Sequence, residues 1–66
     1  MNRRAGNLQS PRDRILWVLT SNEGRMGRSK LRARVGIEYV LLDPILAELV
    51  EEGRIIIEAR NMISLV

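Results

Sequence analysis

Arg28, Lys30, Arg32 and Arg34 occupy every second position of one short run, RSKLRARV. On a helix they form two pairs, 28/32 and 30/34, each one turn apart. Cations in that arrangement suit the chemistry of a polyanion, whose phosphates accept forked contacts from arginine and point-charge contacts from lysine. Ser29 can add a hydroxyl contact at the start of the run. Arg3 and Arg4 extend the basic set towards the N-terminus, Arg12 and Arg14 lie between, and Arg60 stands near the other end. The competing account of the same residues is an ordinary solvated surface.

The distribution of charge favours the first account. Residues 1–36 hold nine bases against two acids, a balance of +7, whereas residues 37–66 hold two bases against six acids, a balance of −4. Such asymmetry within a chain of net charge +3 points the basic half at an anionic partner. Ten of the eleven bases are arginine, which is weaker support, because composition alone can produce that bias.

Other chemistries lack their residues. The chain has no cysteine and no histidine, so the common nucleophile–base pairs, structural zinc and disulfides are all excluded. Ser29 and Ser64 have no candidate base nearby, and Glu48, Glu51 and Glu52 read as acids on a helix surface. The expectation is a protein that is not an enzyme, with no cofactor, no metal and no small-molecule substrate. No apolar run approaches the roughly 20 residues of a membrane-spanning helix, so no membrane partner and a cytoplasmic location are expected. Sixty-six residues bound the fold to one domain with a small core.

The elements that must position these bases can be read from local patterns. Residues 1–9 lack apolar periodicity and form a basic arm; residues 10–66 form the domain. Ser10-Pro11-Arg12-Asp13 is a helix start, with Ser10 as cap, Pro11 in the first turn and Asp13 at the positive dipole end. A first helix over about 11–22 buries Ile15, Leu16, Val18 and Leu19, takes Trp17 as partial core, and ends at Gly24. Arg25-Met26-Gly27 is a connector. A second helix over about 28–35 turns Leu31 and Val35 inward and stops at Gly36. A third, about 39–52, carries Tyr39, Leu42, Leu46 and Leu49 on one face and stops at Gly53. Pro44 breaks this pattern: either the helix kinks there, or Asp43 caps a shorter helix beginning at Pro44. A β-hairpin over about 54–66 turns at Ala59-Arg60-Asn61. The expected core is Ile15, Leu16, Leu19, Leu31, Val35, Leu42, Leu46, Leu49, Ile55 and Leu65.

The segment LRARVGIEYVLLDPILAELVEEGRI resembles the helix-turn-helix of winged-helix proteins, most closely that of small bacterial and archaeal transcription regulators. Leu31, Val35, Gly36 and Ile37 match one half of the pattern, and Leu46, Leu49, Gly53 and Ile55 match the other. The resemblance spans roughly residues 11–66 and rests on packing residues. It implies an α+β, mainly α fold: a three-helix winged helix-turn-helix with a short C-terminal hairpin. It also implies double-stranded DNA as partner and transcriptional regulation as role, with the third helix in the major groove and the hairpin over a flanking groove.

Carried onto this chain, the resemblance places Tyr39, Val40, Asp43, Pro44 and Ala47 where bases are read. None is a usual base-reading side chain, although Asp43 can accept from a cytosine amino group. Arg60 can enter a narrow minor groove. Phosphate contact is therefore assigned to Arg3, Arg4, Arg28, Ser29, Lys30, Arg32 and Arg34. The alternative is a protein-interaction or dimerisation module. In it, the outward face of the third helix (Val40, Leu41, Ile45 and Ala47, rimmed by Glu48, Glu51 and Glu52) meets another chain, and Ile56 adds an apolar group on the hairpin. A homodimer is compatible with both.

Overall fold

The structure, a computed structural model, describes residues 10–66. The chain runs α1 (Pro11–Ser21), β1 (Arg25–Gly27), α2 (Arg28–Val35), α3 (Tyr39–Glu51), β2 (Ile55–Glu58), a 3₁₀ turn (Ala59–Asn61) and β3 (Met62–Leu65). It is α+β and mainly helical. Arg3 and Arg4 lie outside the described residues.

Each helix starts and stops for a local reason. The Ser10 hydroxyl accepts from the Asp13 amide at 3.2 Å, and Pro11 occupies the first turn, where no backbone donor is missed. The helix ends at Ser21, earlier than Gly24, and the Gly24 amide returns to the Leu19 carbonyl at 2.7 Å. Gly36 closes α2 at φ 82°, donating to the Arg32 carbonyl at 2.8 Å. That left-handed cap costs any residue with a Cβ more than glycine. Gly53 performs the same task after α3, at φ 75°.

Pro44 lies inside α3 and does not begin it. The carbonyl it leaves without an amide partner belongs to Val40, whose side chain is 77% exposed. Water can reach that part of the helix, which softens the loss.

The expected two-stranded hairpin is part of a three-stranded antiparallel sheet in the order β1-β3-β2. Arg25–Gly27, expected as a connector, is a strand: Met26 pairs with Ile63, and Gly27 with Met62. On the other side of β3, Ile57 pairs with Ile63 and Ile55 with Leu65. The turn places Arg60 and Asn61 at φ 63° and 59°, and the Met62 amide donates to the Ala59 carbonyl. Two successive left-handed residues give a hairpin turn whose twist matches the strands.

The core contains Ile15, Val18, Leu19, Met26, Leu31, Val35, Leu42, Leu46, Leu49, Ile55 and Ile63. Leu16 and Leu65, expected inside, are partly buried at its margin. Met26 and Ile63 take their place because the sheet register sets them opposite each other over the helices. Trp17, expected as partial core, is 60% exposed. It sits about 200° around α1 from Ile15, on the face opposite the buried stripe. Among the described residues no helix is long and apolar enough to cross a membrane.

Candidate nucleic-acid interface

Burial of Leu31 and Val35 fixes the rotation of α2 and separates its cations into two rows. One row, Arg28 and Arg32, is turned to α3. Arg28 forks onto Asp43, with Nε to Oδ1 at 3.0 Å and Nη2 to Oδ2 at 2.7 Å. Its guanidinium carbon also lies 4.2 Å from the centre of the Tyr39 ring, and that of Arg32 lies 5.1 Å from it. Arg32 Nη1 donates to the Ile37 carbonyl at 3.3 Å.

The forked hydrogen bond from Arg28 holds the Asp43 carboxyl below its ordinary range, with the arginine charge adding to the effect and partial desolvation opposing it. The same bond raises Arg28 further above its already high value. Both partners shift in the direction of a charged pair.

The other row, Lys30 and Arg34, is exposed and has no carboxylate partner among the described residues. Ser29 is exposed beside it. No acid falls in α2, and its N-cap, Gly27, contributes no side-chain acceptor to the first-turn amides.

The remaining bases divide similarly. Arg12 pairs with Glu52, joining α1 to the end of α3. Arg14 donates to the Val35 carbonyl, locking α1 to the end of α2. Arg25 pairs with Glu58 at 3.4 Å, and the Ser64 hydroxyl donates to the same carboxylate at 3.1 Å. Arg54 and Arg60 are exposed without a carboxylate partner among the described residues.

The structure therefore brings Tyr39 and Asp43, both placed as base readers by the resemblance, together with Arg28 and Arg32, placed as phosphate contacts. Arg60 lies at the hairpin tip, on a separate element from this cluster. On the outward side of α3, Val40 and Leu41 are exposed with Pro44 and Ala47. Ile45, expected on that outward face, is half-buried and packs against the core, because it lies one residue from Leu46 and four from Leu49. Ile56 is exposed.

The Arg28–Asp43 fork and the Arg14 and Arg12 clamps were not read from sequence. A signal for the first was present. Arg28/Arg32 and Tyr39/Asp43 are both spaced by four, so each pair shares a helix face, and their chemistries are complementary across a glycine turn. Among the described residues there is no pocket and no cluster of metal-ligating side chains. Compared with protein families, curated proteins and solved structures, the chain finds no match.

Proposed function

We propose that this chain is a winged-helix protein of the cytoplasm that binds double-stranded DNA through its phosphate backbone and acts in transcriptional regulation. The observation that carries the reading is the Lys30/Arg34 row: two exposed cations one turn apart, on a helix without acids, free of described carboxylate partners. Arg60 on the hairpin and Arg3 and Arg4 of the arm complete a set of phosphate contacts in this account. The sheet order, with β1 added beyond the hairpin, supports the winged-helix assignment.

Base reading is weak in this account. Tyr39 and Asp43 are already engaged by Arg28, and Val40, Pro44 and Ala47 offer only apolar contact. Sequence preference then comes chiefly from the shape and deformability of DNA.

A second reading has its own support. Val40 and Leu41 form an exposed apolar pair on α3, beside Glu48 and Glu51, which suits a protein partner.

A random duplex titrated at increasing salt separates the two. With about five phosphate contacts, affinity falls by about 500-fold between roughly 50 and 200 mM salt. Absence of binding at the lower salt removes the DNA reading and leaves the protein-interaction one.

A further inference from the structure

β2 is an edge strand. The sheet order is β1-β3-β2, and no described strand pairs with its outer side. Its residues Ile56 and Ile57 are 46% and 47% exposed. Exposed apolar edges recruit other strands unless lysine, proline or a bulge blunts them. Ile55–Glu58 contains no lysine and no proline, and its register with β3 is unbroken.

The hydrogen bonding shows which backbone groups are offered. The Arg54 carbonyl accepts from the Val66 amide at 3.0 Å. In an antiparallel ladder successive residues face opposite sides, so 54, 56 and 58 face β3 and Ile55 and Ile57 face the open edge. Side chains alternate as well, placing Arg54, Ile56 and Glu58 on one sheet face.

Now the sequence Arg54-Ile55-Ile56-Ile57-Glu58 can be set antiparallel to itself about Ile56. Ile55 meets Ile57 of the second copy as a hydrogen-bonded pair, and every backbone group these residues offer finds a partner. The same register sets Arg54 opposite Glu58 of the second copy, twice by symmetry. Sliding by two residues in one direction opposes Arg54 to Arg60, and in the other Glu58 to Glu52, which are like charges. Backbone and charge thus select one register. Arg54 has no carboxylate partner among the described residues, and Glu58 is held on the sheet by Ser64 and Arg25.

We infer that two copies of this chain associate through β2, antiparallel about a two-fold axis at Ile56, to form one continuous sheet. The inference does not rest on DNA binding, and its test contains no DNA.

The chain has no native cysteine, so Ile56→Cys is a clean probe. The two Ile56 positions form a non-hydrogen-bonded pair with Cα atoms about 4.5 Å apart, within disulfide range. Under mild oxidation this variant cross-links as a dimer, while Val50→Cys, exposed on α3, stays largely monomeric. Equal cross-linking of both overturns the inference.

Sedimentation velocity of the full chain tests the charges. Arg54→Glu weakens the dimer by about tenfold or more, because two favourable cross-strand pairs become repulsive. Combining it with Glu58→Arg restores association. A full-length chain that stays monomeric to about millimolar concentration overturns the inference. So does a dimer indifferent to Arg54→Glu but dissociated by Leu41→Ser, which assigns association to α3. Ile57→Pro removes only an edge-facing amide, so a dimer that survives it unchanged is a third contrary result.

Discussion

The two cation rows of α2 share one helix and nearly the same composition, yet they have different fates. Arg28 and Arg32 face the N-terminal part of α3 and the residues leading into it, where the Asp43 carboxylate, the Tyr39 ring and the Ile37 carbonyl receive them. Lys30 and Arg34 face solvent. The difference shows that a count of bases overstates the charge a surface can offer a partner. A guanidinium already forked onto a carboxylate must break that contact before it can grip a phosphate. The first row links α2 to α3; the second makes no such contact among the described residues.

That contrast can be broken most directly through the free row. Lys30→Glu with Arg34→Glu lowers affinity for every duplex alike, and neutralising the row with alanines reduces the logarithmic salt slope by about two. Anisotropy titrations over a salt series read both effects, and thermal melting reads an almost unchanged stability. An unchanged salt slope in the alanine variant removes these two residues from the interface.

Arg28→Ala carries the opposite signature. It lowers the melting temperature, because the link between α2 and α3 is lost, while duplex affinity changes less than in the free-row variants. If Arg28→Ala costs more affinity than Lys30→Ala with Arg34→Ala, the two rows have been assigned the wrong way round.

Acid sharpens the comparison further. Asp43 is depressed in the folded chain by its bond to Arg28, so the unfolded state binds a proton more readily. The stabilisation is complete above the unfolded aspartate value of about 3.9 and is lost as pH falls through the lower folded value. Melting temperatures of the parent and Asp43→Asn therefore differ at neutral pH and converge in acid. A gap that persists at low pH contradicts this linkage. Lys30→Ala with Arg34→Ala leaves the acid profile alone.

The smallest effect concerns Arg60, where charge and conformation are superimposed. At φ 63° a residue with a Cβ is strained, and Arg60→Gly relieves that strain, adding up to about 1 kcal/mol of stability after the entropy cost of glycine. Arg60→Lys keeps both strain and charge. Urea melts of the two variants isolate the backbone contribution, and their duplex affinities isolate the charge. Equal stabilities would show that the strain relieved does not exceed the entropy cost of glycine.

Much of the architecture was legible because its causes are local. Ser10 and Pro11 announce a helix start in four residues. Gly36 and Gly53 mark the stops, since a left-handed cap favours the residue without a Cβ. Leu42, Leu46 and Leu49 declare one buried face by their spacing. β1 was illegible for the converse reason. Three residues with one apolar side chain have no period, and Arg25–Gly27 is a strand only because β3 offers an edge about 40 residues later. Trp17 was misplaced because its size suggested burial, while its angle on α1 pointed outward.

The sequence by itself determined where helices begin and end, which leucines face inward and that the basic half is rich in arginine, because caps, glycine hinges and helical periods act within a few residues. Only the tertiary structure decided which arginines meet carboxylates, that Met26 and Ile63 share the core, and that β2 has an open edge. Those outcomes depend on how the helices settle around one core and on the sheet register, and both are set by contacts between residues far apart in the chain.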